Sequence, residues 1–287
     1  YGRELDDIID IDAVGALVTK AVTLEPREGN PAPRAAEFAA GMLNSIGLAN
    51  VGLERFRSEK LPWLARRLDR ARVLVNVAGA SVEDYVTVVD VLDGEEGFLG
   101  YELNVSCPNV KKGGAAFCAR HDLLEEVVAA VRARTRRPLV VKLAPNVPDM
   151  GATAAVAVDA GADGLTLINT FPGLLFDLES RTSVLGAGTG GVSGAAVLPM
   201  GVHAVWQARR RVDVPIIGVG GIRSAGDAVQ YLLAGASLVA IGTATFADPR
   251  APLRVLDGLR RYGDRHGIED VRSLVGAGIV DGVKTTG

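Results

Sequence analysis

Gly100-Tyr101-Glu102-Leu103-Asn104-Val105-Ser106-Cys107-Pro108-Asn109 opens as an apolar, strand-like run and closes on amides, a thiol and a proline. Proline has no N–H to donate to a ladder, so the strand stops there. Amides can read the edge of a polar ligand and a thiol can exchange a proton, which makes this strand end a site rather than core. A lone cysteine is more often a small buried hydrophobe than a catalyst. Cys107 therefore draws its significance from the rest of the chain.

Six further apolar runs flank this one, at residues 16–20, 72–79, 138–144, 164–169, 215–221 and 238–243. They carry Val, Ile and Leu on both faces, as parallel strands covered on both sides do. Helical patterns separate them. Asp122 opens one, with Leu124, Val127, Val128 and Val131 as its stripe. Pro148-Asp149 starts another, which ends near Gly161-Ala162-Asp163, and Ser224-Ala225-Gly226-Asp227 resembles a capping box. Strict β–α alternation predicts an α/β fold, a (β/α)8 TIM barrel forming one domain over residues 1–287. Seven runs are one short of that barrel, so the first strand is expected to be missing from a chain that starts Tyr1-Gly2-Arg3.

A doubly wound open sheet is the alternative, and the polar residues argue against it. Lys20, Asn76, Asn104, Cys107, Lys142, Asn169, Gly220-Gly221 and Gly242-Thr243 all fall at carboxyl ends of runs, and in a barrel those ends meet at one mouth. The glycines after the last two strands sit where such barrels bind phosphate through backbone N–H groups, although tight turns alone also call for glycine. Two connections are long for a barrel: residues 110–121, with Lys111-Lys112-Gly113-Gly114, and residues 170–194, which end Gly188-Thr189-Gly190-Gly191-Val192-Ser193-Gly194. Both are expected to be glycine-bearing loops over the mouth, able to exclude water.

A net charge of −3 argues against nucleic acid as the main partner. Arg134, Arg136 and Arg137, and Arg209, Arg210 and Arg211, precede apolar runs and are expected to end helices, where cations complement the dipole. Cys107 and Cys118 are too few for a cluster held by four thiolates, and no metal site is expected. No apolar run reaches the ~18 residues of a membrane span and no secretory signal is visible, so a cytoplasmic location is expected.

The chain resembles the FMN-dependent dihydroorotate dehydrogenases of the soluble class whose base is cysteine. The resemblance runs through Lys20-Ala21-Val22-Thr23-Leu24-Glu25-Pro26-Arg27-Glu28-Gly29-Asn30-Pro31, Met42-Leu43-Asn44-Ser45-Ile46-Gly47-Leu48, Glu102-Leu103-Asn104-Val105-Ser106-Cys107-Pro108-Asn109, Val141-Lys142-Leu143 and Ile168-Asn169-Thr170. It continues through Thr189-Gly190-Gly191-Val192-Ser193-Gly194, Pro215-Ile216-Ile217-Gly218-Val219-Gly220-Gly221 and Val239-Ala240-Ile241-Gly242-Thr243. Leu61-Pro62-Trp63-Leu64, Asn109-Val110-Lys111-Lys112-Gly113-Gly114 and Asn169-Thr170-Phe171 resemble the NAD-linked subtype rather than the fumarate-using one.

The resemblance implies oxidation of dihydroorotate to orotate in pyrimidine biosynthesis, with Cys107 as general base and Lys20 and Lys142 beside it. It implies substrate contacts from Lys20, Asn44, Ser45, Ile46, Gly47, Leu48, Asn104, Asn109, Asn169 and Thr170. FMN contacts are implied for Lys20, Ala21, Asn76, Asn104, Lys142, Ile168, Gly194, Gly220, Gly221, Gly242 and Thr243. It further implies a homodimeric core working with a second subunit that carries FAD and a [2Fe–2S] cluster, which this chain's two cysteines could not hold. Family members carry an Ala-Ser-Gly segment on the first strand that is absent here. Phe117-Cys118-Ala119-Arg120 departs from the family's small residues, Cys118 has no assigned role, and Ala21 and Pro172 are variants. A fumarate-linked enzyme, a flavin enzyme acting on uracil or thymine, and a non-catalytic barrel subunit are the alternative readings.

Overall fold

The computed structural model describes residues 1–105, 117–118 and 120–279. Cys107, Asn109 and Lys111-Lys112-Gly113-Gly114 lie outside the described residues. The strands are β1 (Ala16–Val18), β2 (Ala35–Phe38), β3 (Gly41–Asn44), β4 (Arg72–Val77), β5 (Gly100–Asn104), β6 (Leu139–Lys142), β7 (Gly164–Leu167), β8 (Phe171–Gly173), β9 (Gly190–Ser193), β10 (Ile216–Val219) and β11 (Leu238–Ala240).

Each of the seven expected runs becomes a strand of one parallel sheet, ordered β1-β4-β5-β6-β7-β10-β11. Helices connect its strands, among them Val82–Leu92, His121–Arg132, Met150–Asp159, Leu198–Arg209 and Ala225–Leu233. This is the curled α/β sheet of the TIM-barrel class. Among the described residues β1 and β11 each have one strand neighbour in this sheet, and Val18 and Leu238 on them are exposed.

Alternation along the strands builds two apolar layers. Tyr101, Leu103, Val141, Leu165 and Leu167 face outward and are buried with Val88, Leu124, Val127, Val128 and Val131 of the helices. Leu74, Val140 and Ile217 form a separate cluster inside the curl, drawn from alternate strands as barrel layers are, and Ala240 of the neighbouring β11 packs against it. Two residues further along their strands come polar positions in register: Asn76 opposite Glu102, and Lys142 opposite both Asn104 and Thr166. An apolar plug thus closes the bottom while the carboxyl ends stay polar.

The helix punctuation follows the expected chemistry. Ser224 accepts from the Asp227 N–H in a capping box, and Asp149 caps the helix Met150–Asp159. One arginine of each cluster braces the backbone. Arg137 donates to the carbonyls of Phe98, Asp93 and Glu95 and lies 4.1 Å above the Phe98 ring. Arg209 donates to the carbonyls of Gly235 and Val214. Among the described residues no helix is long and apolar enough to cross a membrane.

One expectation is corrected. Residues 170–194 are not a plain loop, because β8 and β9 join β2 and β3 in an antiparallel sheet ordered β2-β3-β9-β8. Met42 pairs with Ser193 and Asn44 with Gly191. Glycine-rich strands this short show no apolar alternation, and their partners are distant in sequence, so local pattern cannot find them.

Asp12 is a second feature that the sequence leaves unmarked. Its carboxylate accepts from the backbone N–H groups of Ala71, Arg70 and Asp69 and from the Arg70 guanidinium. The Ala71 N–H foremost, with these others, holds the group down at about 2. A carboxylate depressed when folded stabilises the fold above its unfolded value near ~4, and that contribution fades as pH falls toward about 2. Asp12→Asn should lower the Tm at pH 7, and the gap to the parent protein should narrow between about pH 4 and pH 2 in a thermal-melt series. A gap independent of pH would assign the effect to lost hydrogen bonds alone.

Candidate active site

A cavity of about 380 Å³ opens at the carboxyl ends of β6, β7 and β10 and is walled on its other side by the antiparallel sheet. Of the residues expected at the site, Lys142, Ile168, Asn169, Thr170, Gly194, Gly220, Gly221, Gly242 and Thr243 line it. They come from five separate stretches of chain, four at the shared carboxyl end of the parallel strands and Gly194 at the end of β9 in the antiparallel sheet.

At two of these glycines the backbone leaves no alternative, whereas a Cβ at Gly242 would meet nothing within 4 Å. Gly221 has φ +76°, and a Cβ there would stand 2.7–2.8 Å from the Cβ, Cα and N of Leu198, at the start of a helix. Gly194 has φ +94°, and a Cβ there would stand 2.6 Å from the Gly41 Cα. Both sites need a left-handed backbone with no side chain, and such turns leave N–H groups accessible to an anion. Tyr231 supports the turn from behind, donating its hydroxyl to the Gly220 carbonyl at 2.8 Å. Burial raises the pKa of that phenol, so it remains a donor.

The amides form a connected set. Asn169 Nδ2 donates to Asn104 Oδ1 at 3.2 Å, and Asn169 Oδ1 accepts from the Thr170 N–H at 2.8 Å. Asn104 is anchored through its carbonyl, which accepts from the fully buried Tyr85 hydroxyl at 2.8 Å. Ile168 is tied to β10 through its N–H on the Val219 carbonyl.

Lys20, Ala21, Asn44, Ser45, Ile46, Gly47, Leu48, Asn76 and Asn104 do not line this cavity. Asn104 reaches it through Asn169, and further contacts join others of the set. Leu48 packs with Ala21 and Ala78, joining the segment after β3 to the ends of β1 and β4. Asn44 donates to the Gly191 carbonyl at 3.2 Å, on the strand next to the cavity wall. Ser45 is fully buried and accepts from Asn30 Nδ2 at 2.7 Å.

Several lining residues were not expected from the sequence. Residues 37–42 of the β2–β3 hairpin form part of the wall, and Ser193, Arg223 and Phe246 join it. The hairpin could be found only through its pairing with β9. Cys118 gains a structural account: its buried thiol donates to the Val105 carbonyl at 3.3 Å and accepts from the Ala144 N–H at 3.4 Å. It thereby ties the ends of β5 and β6 together.

A parallel sheet of the TIM-barrel class that gathers a lysine, linked amides and glycine turns around one cavity at its strand ends has the layout of an enzyme of that class, whose active sites lie at those ends. A dihydroorotate dehydrogenase family model matches residues 1–262, and the chain belongs to that family of FMN-dependent oxidoreductases. It is 49% identical over 277 residues to the dihydroorotate dehydrogenase B (NAD(+)) catalytic subunit of Pelobacter propionicus, spanning 96% of this chain and 90% of that protein. It is equally 49% identical, over 276 residues and the same shares, to a putative dihydroorotate dehydrogenase A (fumarate) of Solibacter usitatus. Among solved structures it resembles the dihydroorotate dehydrogenase of Eimeria tenella in complex with ferulenol. The TM-score is 0.75 at 27% identity, covering 90% of this chain and 77% of that one.

The residues present fit FMN. Asn76 Oδ1 is buried with no partner among the described residues, an acceptor suited to a ring N–H, and the glycine turns suit a phosphate.

Proposed function

We propose that this chain oxidises (S)-dihydroorotate to orotate with FMN and delivers the electrons to NAD through a partner subunit carrying FAD and a [2Fe–2S] cluster. The observation that carries this reading is the convergence of Lys142, the Asn169–Thr170 pair and the glycine turns on one cavity. Residues 1–287 act as a single FMN-binding barrel domain, located in the cytoplasm and paired as a homodimer. Leu174, Leu175, Phe176 and Leu178 are exposed, the sort of apolar surface that chain–chain contacts cover.

Bound FMN supplies an acceptor for the hydride that leaves C6 of the substrate. Cys107 Sγ takes the proton from C5, a role that requires the thiolate. Asn44, Asn104, Asn109, Asn169 and Thr170 hold the planar ring and its carboxylate by directional hydrogen bonds, helped by the segment Ser45-Ile46-Gly47-Leu48. Lys20 would contact both substrate and cofactor. Lys142 sets a positive charge where negative charge develops. When FMN is bound, Ala21, Ile168 and Asn76 would border its ring, and backbone groups of Gly194, Gly220, Gly221, Gly242 and Thr243 would hold its phosphate.

The purified chain, loaded with FMN, should bleach anaerobically with dihydroorotate and not with dihydrouracil or dihydrothymine. It should turn over with an artificial acceptor but barely with NAD until an FAD and iron–sulfur subunit is added. Bleaching by the other pyrimidines, or none at all, would overturn the substrate. Efficient NAD reduction by the chain alone would overturn the partner, and efficient fumarate reduction would move the enzyme to the other subtype.

A further inference from the structure

Inside the sheet, between the apolar plug and the mouth, lies a buried carboxylate that the proposed chemistry leaves unused. Glu102 on β5 is 1% exposed. Its Oε1 accepts from Asn76 Nδ2 at 2.6 Å and its Oε2 from Thr166 Oγ1 at 2.6 Å. The bridge therefore spans β4, β5 and β7. Burying a carboxylate is costly unless donors meet it, and an apolar residue could have extended the plug at lower cost. Such a group has to do something that an apolar side chain could not.

Its effect on Asn76 supplies the reason. An asparagine amide offers two donors on nitrogen and an acceptor on oxygen, and either face can turn toward a ligand. A carboxylate accepts only, so it draws the nitrogen side toward itself and turns the oxygen away. Asn76 is held from its other end too, because its backbone N–H donates to Thr19 Oγ1 at 3.1 Å. The oxygen turned away is the atom left buried without a partner among the described residues. Thr166 fixes the second carboxylate oxygen, so Glu102 cannot swing to release the amide.

We propose that Glu102 is a positioning residue which, anchored by Thr166, locks the Asn76 amide with its oxygen presented to an N–H donor of the flavin ring. The inference rests on the FMN reading above. Oxidised flavin carries one ring N–H, at N3, between two carbonyls. An amide free to flip would offer its NH2 group as readily and would lose the distinction between N–H and carbonyl.

The test titrates apoprotein with FMN and with N3-methyl-FMN, which lacks that donor, and follows the fluorescence. Apoprotein melting is measured in parallel. The parent protein should bind FMN about tenfold or more tighter than the methylated analogue, the worth of one buried hydrogen bond. Glu102→Gln can donate to the Asn76 oxygen, so FMN affinity should fall about tenfold and the preference over the analogue should collapse. Thr166→Val keeps the carboxylate and loosens it, and should reduce the preference partway. A purely structural Glu102 would lower the melting temperature of Glu102→Gln and leave the preference intact, which overturns the proposal. Should Glu102→Gln not fold, an unchanged preference in Thr166→Val overturns it equally. If the parent apoprotein does not bind FMN, the functional reading fails instead, an outcome distinct from both.

Discussion

Cys107→Ala is expected to retain FMN while dihydroorotate reduces the flavin about 10²–10⁴-fold more slowly, the span a positioned general base supplies. The C5 proton has to go to a group that accepts it near neutral pH, and the only other cysteine is unsuited. Burial pushes the Cys118 thiol up to about 12, and the thiol is engaged between Val105 and Ala144. A thiolate-directed alkylating reagent at pH 8 should therefore modify Cys107 and spare Cys118, since reactivity follows the thiolate fraction and access. Cys107→Ser should keep a small activity with its optimum displaced to higher pH, because a hydroxyl gives up its proton less readily than a thiol. Anaerobic stopped-flow reduction of the loaded variants measures all of this. Near-normal reduction in Cys107→Ala would return that thiol to a structural role.

The barrel is legible in the sequence because its signals are local. Runs such as residues 72–79 and 138–144 are apolar on both faces, and their carboxyl ends carry Asn76 and Lys142. The glycine turns at 220–221 and 242 are legible for the same reason, each following a strand directly. The second sheet is not, because Gly190–Ser193 and Phe171–Gly173 are too short and too rich in glycine to show a period. The cavity wall formed by residues 37–42 depends on that non-local pairing and is hidden with it. Glu102 reads as one polar residue within an apolar run; its importance appears only when Asn76 and Thr166 arrive from other strands. Tyr231 and Asp12 are similar, since a phenol behind a glycine turn and a carboxylate under three backbone N–H groups are facts of packing. Strand patterning reaches positions at the mouth but not the groups that brace them.

Lys142→Met should slow flavin reduction by about 10²–10³-fold, the loss seen when one preorganised group facing developing charge is removed. The side chain leaves the last residue of β6, in register with Asn104 on one side and Thr166 on the other, and borders the cavity beside Ile168 and Asn169. A cation fixed there costs no reorganisation when negative charge appears, whereas methionine fills the same space without charge. The sign of the accompanying change follows from electrostatics. A positive charge beside the ring favours its reduced, more anionic form, so removing it should move the midpoint potential of the bound cofactor to a more negative value. Lys142→Arg keeps the charge on a wider group and should preserve most of the potential while recovering only part of the rate. Dye-equilibrated potentiometry and stopped-flow reduction on the loaded variants separate the two quantities. An unchanged potential with a slowed rate would place the Lys142 charge on the substrate rather than the cofactor. If neither changes, Lys142 is a wall residue and the electrostatic assignment falls.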